Sequence, residues 1–163
     1  MLQANNLEPF FRRLKAEHIH MAVETCLFVL EDKLRVVLKY INLFYVYIKI
    51  LDAVMSQDVL CGNLDLFFEN IEILFSSGMP VVFCLPVIGG YTDGADNRRR
   101  VVEFLQRYKP IKVELIKEHN LGISKYQSLS LPMPDNKVTS DEMMEDYKKE
   151  IEEIGILAEV CKV

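Results

Sequence analysis

The 163-residue sequence lacks several features that mark specialised proteins. It has no tryptophan, no apolar run approaching the roughly 18–20 residues of a membrane span, and no positively charged leader followed by an apolar core. Its net charge of −5 argues against a general nucleic-acid-binding surface. We therefore expect a cytoplasmic protein that binds neither membranes nor nucleic acids.

Cysteine is present but not in a chelating pattern. The four cysteines lie too far apart in the sequence for a C-x-x-C or similar motif: Cys26, Cys61, Cys84 and Cys161. Reduced thiols are the default for such spacing in a cytoplasmic protein, so we expect no metal site. The sequence also has neither a G-x-G-x-x-G nor a Walker loop, which leaves no phosphate-binding signature.

Helix and strand signals alternate along the whole chain. The predicted strands are His20–Thr25, Leu43–Ile50, Val81–Val87, Ile111–Ile116 and Leu157–Val160. The predicted helices run from a cap at Asn5 or Asn6 to about Lys15, over Glu31–Ile41, from a cap at Asn63 to Phe75, over Asp96–Tyr108, and from a Thr139 capping box to near Gly155. This alternation predicts a parallel sheet with right-handed crossovers.

One domain covers residues 1–163, because no low-complexity linker divides the chain. The pattern suits an open doubly wound sheet or an arc of a (β/α) barrel. Leu43–Ile50 favours the arc: Phe44, Val46, Ile48 and Ile50 would face helices, while the alternate positions place Lys49 at the mouth of a lumen.

Four polar side chains lie at or after predicted strand ends, where parallel folds place functional groups. Lys49 could present a cation to an anionic ligand, act as a Schiff-base lysine, or pair with Asp52. His119 follows the fourth strand on a loop. Glu24 and Thr25 end the first strand and could accept hydrogen bonds from an amino group.

Four segments, taken in order, resemble the activating proteins of glycyl-radical enzymes. They are Glu24-Thr25-Cys26 (E-T-N/C-G in the family), Tyr47-Ile48-Lys49 with Asp52 (D-x-K-x-x-D), the Cys84–Asp93 run (R-x-P-x-I-P-G-x-N/T-D) and the Glu114–Tyr126 run ending H-x-x-G-x-x-K-Y. The family is the pyruvate formate-lyase activating type of radical S-adenosylmethionine (SAM) enzyme.

The resemblance implies a fold, two cofactors and a partner. The fold would be α/β, a partial (β/α) barrel arc with parallel strands, truncated at its N-terminal side. In such enzymes a [4Fe–4S] cluster cleaves SAM, and the resulting radical abstracts hydrogen from a glycine of a glycyl-radical enzyme such as pyruvate formate-lyase. The resemblance assigns SAM contacts to Glu24, Thr25, Lys49 and His119.

The sequence also departs from the family pattern. It contains no C-x-x-x-C-x-x-C cluster motif and no G-G-E-P, so we expect this chain to bind no cluster and to be inactive alone. Tyr47 stands where the family has Asp, and Cys84 stands where it has Arg. A free edge on the His20–Thr25 strand would favour a homodimer or aggregation.

Three functions remain open at this point. The first is a fragment of a radical-SAM activating enzyme. The second is a non-catalytic docking scaffold or relic for a glycyl-radical enzyme. The third is a Schiff-base lyase that uses Lys49, which borohydride trapping of a carbonyl substrate would detect.

Overall fold

The fold is described from a computed structural model and covers residues 1–119, 122–132 and 138–161. Helices and strands alternate in the order α1 (Ala4–Ala16), β1 (Ala22–Thr25), α2 (Glu31–Leu38), β2 (Leu43–Tyr47), α3 (Ala53–Leu60), α4 (Leu64–Ser76), β3 (Val81–Val87), α5 (Ala95–Arg107), β4 (Lys112–Lys117), α6 (Ile123–Ser128), α7 (Asp141–Glu153) and β5 (Ala158–Cys161). None of the described helices is both long and apolar enough to cross a membrane.

The strands form one parallel sheet in the order β1-β2-β3-β4-β5. The predicted parallel α/β architecture is therefore confirmed. Since the spatial order follows the sequence order, each crossover returns to the next strand in the same direction, and β1 and β5 are the two edges.

Side chains alternate between buried and half-buried along β2 and the three residues that follow it. Phe44, Val46, Ile48 and Ile50 are buried, and the intervening Tyr45, Tyr47 and Lys49 are half-buried, as the sequence pattern predicts. The buried set packs under the helices, where Phe83 of β3 also lies 5.3 Å, ring to ring, from Phe104 of α5. We call the opposite side of the sheet the lumen face; it bears Tyr45, Tyr47, Cys84, Glu114 and Glu159.

Most predicted boundaries hold within three residues, and the helix starts show where they fail. The Asn63 carboxamide oxygen accepts from Leu66 N at 3.1 Å and caps α4 as predicted. The predicted Thr139 cap is wrong: Ser140 Oγ accepts from Met143 N at 3.1 Å, and Thr139 is fully buried. α1 begins after Gln3, which makes no side-chain cap, so the predicted Asn5 or Asn6 cap is also wrong.

Two short helices were not predicted. α3 has a clear start, because Asp52 Oδ1 accepts from Met55 N at 3.0 Å, and it ends at Cys61, whose φ of 50° is left-handed. Because Asp52 is occupied as a cap and lies 3.4 Å from Arg100, it does not pair with Lys49. α6 follows Gly122 and has no buried residue, so its sequence carries no amphipathic signal.

Candidate functional site

The carboxyl ends of β1 and β2 open onto one cavity of about 450 Å³. Glu24, Thr25, Tyr47 and Lys49 all line it, together with Met1, Cys26, Phe28 and Val29. The structure thus brings three of the four sequence-predicted ligand residues, Glu24, Thr25 and Lys49, into one place.

Glu24 and Lys49 supply opposite charges to this cavity without pairing with each other. In the described part of the chain, neither side chain has an oppositely charged partner within 4.0 Å. Most other charged groups near the strands do pair, such as Lys112 with Glu114 at 2.9 Å and Lys117 with Asp141 at 2.6 Å. A carboxylate and an ammonium group are therefore both available to a ligand here.

Neutral hydrogen bonds hold the backbone around these groups. Asn97 of α5 is buried, and its carboxamide donates to Lys49 O and Thr92 O, each at 3.0 Å, while its oxygen accepts from Leu51 N at 3.0 Å. The Thr25 hydroxyl oxygen accepts from Leu27 N at 2.9 Å, which fixes the turn after β1. These contacts position the strand ends without using the charged side chains.

Asn70 of α4 fixes the same turn from below. It is fully buried and donates to Leu27 O at 2.9 Å and Val29 O at 2.7 Å. A buried amide that bonds two loop carbonyls satisfies groups that would otherwise be costly to desolvate. Asn70 was not singled out in the sequence; a polar residue within the otherwise apolar Leu64–Ser76 face was the available signal.

His119 lies elsewhere. It is exposed after β4 and lines a separate, larger cavity of about 860 Å³ with Glu118, Asp141, Lys148 and Glu159 among others. The structure does not bring His119 into the cavity of Glu24 and Lys49. Its predicted role as a ligand residue stays a prediction.

The loop after β3 is closed by its own side chains. Thr92 is buried, and its hydroxyl donates to Pro86 O at 2.6 Å and accepts from Ile88 N at 2.7 Å. Asp93 Oδ1 accepts from Gly90 N at 2.7 Å, where Gly90 has a φ of 84°. With these donors satisfied internally, the interpretation as a tight strand-to-helix loop and not a phosphate cradle fits the geometry.

The two departures from the family pattern lie side by side. Tyr47 and Cys84 are register partners across β2 and β3, so their side chains share the lumen face. The Tyr47 hydroxyl donates to Glu24 Oε2 at 3.3 Å, and Cys84 Sγ donates to Glu114 Oε2 at 3.8 Å. The family pattern has Asp and Arg at these two positions. Replacing that oppositely charged pair by a neutral tyrosine and a neutral cysteine leaves the net charge of the pair unchanged.

Both replacements are protonated at neutral pH, and burial extends that range to higher pH. Burial raises the pKa of Tyr47 to about 12, helped by the nearby Cys84 and Glu24, and raises the pKa of the Cys84 thiol to about 12, helped by Glu114. Both groups are therefore hydrogen-bond donors at neutral pH, and Cys84 is not a reactive thiolate.

The chain is similar in sequence to known activating enzymes. No protein-family model matches it. It is 30% identical over 129 residues to the pyruvate formate-lyase 2-activating enzyme of Escherichia coli K12, covering 79% of this chain and 44% of that enzyme. It is 26% identical over 137 residues to the choline trimethylamine-lyase activating enzyme of Oleidesulfovibrio alaskensis, covering 80% and 44%.

The chain is similar, over about four fifths of its length, to members of the glycyl-radical activating enzyme family. Members of this family are radical SAM enzymes that use SAM and a [4Fe–4S] cluster. The chain spans less than half the length of these curated relatives.

Solved structures agree on the fold. A domain of pyruvate-formate lyase-activating enzyme from Bacteroides vulgatus superposes with a TM-score of 0.82 at 20% identity, covering 99% of this chain and 92% of that domain. A radical SAM methyltransferase from Sphaerobacter thermophilus superposes with a TM-score of 0.72 at 15% identity, covering 98% of this chain and 48% of that protein. The predicted partial (β/α) barrel arc of parallel strands is confirmed.

The described residues do not fit an iron–sulfur cluster. A [4Fe–4S] cluster needs cysteine thiolates brought together. Here Cys26, Cys61, Cys84 and Cys161 lie on different elements, and no group of three His, Cys, Asp or Glu in residues 1–119, 122–132 and 138–161 could hold a metal ion.

Proposed function

We propose that the cavity at the ends of β1 and β2 binds the amino-acid end of SAM, as part of an activating enzyme for a glycyl-radical enzyme. The observation that supports this most directly is that Glu24 and Lys49 line one cavity and that neither has an oppositely charged partner among the described residues. The methionine end of SAM is a zwitterion, with an ammonium group for Glu24 and a carboxylate for Lys49. Charge-assisted hydrogen bonds of this kind are the strong ones.

Each side chain has a separate task in this proposal. Lys49, held at its backbone by Asn97, fixes the ligand carboxylate; Glu24 accepts from the ligand ammonium; and Thr25 adds a hydroxyl to the wall. The radical chemistry of SAM would need a cluster that the described residues of this chain do not hold. The residues of this chain bind and orient SAM and take no part in electron transfer.

The proposed macromolecular partner is a glycyl-radical enzyme. The relatives by name activate pyruvate formate-lyase and choline trimethylamine-lyase. Which glycyl-radical enzyme this chain serves is a matter for affinity capture, since the relatives name several different targets at similar identity.

Ligand binding tests the proposal directly. Isothermal titration of the 163-residue protein with SAM should show one site, and Lys49→Met should weaken binding by roughly 10- to 100-fold, as expected for the loss of a charge-assisted hydrogen bond. Lys39→Met is the matched control, because Lys39 lies at the end of α2 and pairs with Glu8. Equal affinity for wild type and Lys49→Met would overturn the proposal.

A second experiment tests inactivity of the isolated chain. After anaerobic reconstitution with iron and sulfide, followed by reduction with dithionite, we expect no [4Fe–4S] electron paramagnetic resonance signal and no 5′-deoxyadenosine from SAM. A cluster signal that survives Cys84→Ser and Cys161→Ser but disappears on gel filtration would be adventitious iron. A stable cluster with SAM cleavage would refute this part of the proposal.

We further propose that the 163-residue chain acts as one portion of a longer enzyme. Its coverage of 44% of the curated relatives supports this. An immunoblot of source cells should show a band well above 18.9 kDa. A band at that size, with capture of a glycyl-radical enzyme but no SAM cleavage, would instead support the docking scaffold.

A further inference from the structure

The hydrogen bond between Tyr47 and Glu24 crosses the sheet diagonally. The residue directly opposite Glu24 in the β1–β2 register is Tyr45, and Tyr47 lies two positions further along the same face. Long aromatic side chains can reach such a diagonal neighbour. The Tyr47 hydroxyl, and not that of Tyr45, contacts the Glu24 carboxylate, at 3.3 Å.

This contact uses only one oxygen of Glu24. Oε2 accepts from Tyr47, and Glu24 has no further hydrogen bond or ion pair in the described ranges. A carboxylate has acceptor capacity at both oxygens. Oε1 is thus left for a ligand that enters the cavity shared by Glu24, Tyr47 and Lys49.

We propose that Tyr47 is a positioning residue that holds Glu24 in place for the ammonium group of an α-amino-acid ligand. This inference rests on the proposed function and goes beyond it, because it assigns a role to a residue that departs from the family pattern. A carboxylate at position 47 would repel Glu24, whereas a phenol donates to it. The site thereby offers the ligand one oriented carboxylate and one ammonium group.

The protonation state of Tyr47 is consistent with this role. A phenol is protonated throughout the physiological range, and burial raises the pKa of Tyr47 further, to about 12, so the hydroxyl donates at every such pH. The hydrogen bond also restricts the rotamers of Glu24, an exposed residue that would otherwise pay that entropy when the ligand binds.

The test compares two tyrosines on the same strand and face. Tyr47→Phe removes only the donating hydroxyl, and Tyr45→Phe removes a hydroxyl with no hydrogen-bond partner among the described residues. The probes are S-adenosylhomocysteine, which has the amino-acid end, and 5′-methylthioadenosine, which lacks it. Circular dichroism confirms that each variant is folded.

We expect Tyr47→Phe to weaken S-adenosylhomocysteine binding by about 3- to 10-fold. Binding of 5′-methylthioadenosine should not change, and Tyr45→Phe should change neither. In a Glu24→Gln background the Tyr47→Phe effect should shrink, because the positioned carboxylate is gone. A merely structural role would weaken both probes equally.

Failure of this inference differs from failure of the proposed function. If the wild-type chain binds S-adenosylhomocysteine and Tyr47→Phe binds it equally well, the positioning role is refuted and the proposed function stands. If the wild-type chain binds neither probe, the proposed function fails first, and the role of Tyr47 fails with it.

Discussion

The two faces of the sheet differ in burial and polarity although they belong to the same sheet. The helix-covered face holds fully buried apolar side chains such as Phe44, Val46 and Phe83. The lumen face of the same strands holds Tyr45, Tyr47 and Glu114, which are only half-buried and carry the polar contacts. We therefore expect most of the stability to come from the helix-covered face and the polar chemistry to come from the lumen face.

β3 differs from the other strands because most of its lumen-face residues are also buried. It is the central strand and is buried on both faces, and Cys84 on its lumen face is only 1% exposed. Because Tyr47 and Cys84 are cross-strand neighbours, a charged residue at either position needs its partner. We therefore expect the lumen face to tolerate exchange in pairs more readily than exchange of single residues.

The largest expected effect separates the faces on one strand. Phe44→Ala should lower the free energy of unfolding by about 3–5 kcal/mol, because it empties a fully buried aromatic site. Tyr45→Ala, one residue along, should cost less than about half of that, since its side chain is already half-exposed. Urea denaturation measures both, and equal losses would show that the faces contribute alike.

The next effect tests pairwise exchange on the lumen face. Tyr47→Asp alone places a second carboxylate beside Glu24, and Cys84→Arg alone forces a long cation into a buried site, so both should destabilise the protein. The double variant should recover about 0.5–3 kcal/mol relative to the sum of the single losses. Strict additivity, measured by thermal or urea unfolding, would mean that the two positions are independent.

The smallest effect, over the measured range of pH 8 to 10, is alkaline and again belongs to the lumen face. The pKa of Cys84 rises from 9.0 to about 12 on folding, so above pH 9 the unfolded chain releases a proton that the folded chain keeps. Stability from this group is complete below pH 9 and is lost toward pH 12, at a slope of at most about 1.4 kcal/mol per pH unit.

A pair of serine variants isolates that slope. Cys84→Ser should flatten the decline in unfolding free energy between pH 8 and 10, whereas Cys61→Ser, at an exposed thiol, should leave it unchanged. An identical decline in wild type and Cys84→Ser would assign the alkaline loss to other groups, such as Tyr108, whose burial also raises its pKa to about 12.

The strand layout was predictable because burial leaves a direct trace in sequence. Val81–Val87 reads as an unbroken apolar run and is the strand that was predicted, and the alternation in Leu43–Ile50 gave the correct faces. Helix starts were less predictable. Thr139 and Ser140 are both good caps by type, and tertiary packing decided between them by burying Thr139.

The sequence predicted which residues lie at the carboxyl ends of the strands, but it did not predict the contacts between them. The positions of Glu24 and Lys49 at strand ends follow from topology alone. Their shared cavity, the diagonal reach of Tyr47 and the pairing of Cys84 with Glu114 depend on strand register, which a single sequence does not encode locally. The buried amides of Asn70 and Asn97 donate hydrogen bonds to backbone carbonyls in loops, and no sequence motif predicts these contacts.

Asn70 and Asn97 imply that the shape of the cavity and its affinity for a ligand depend on different kinds of interaction. Asn70 and Asn97 fix the loops after β1 and β2 through uncharged hydrogen bonds, which salt does not screen. The groups offered to a ligand, Glu24 and Lys49, are charged and are screened. Raising the ionic strength should therefore lower the affinity for a charged ligand. The backbone geometry of the loops after β1 and β2 should stay the same in concentrated salt.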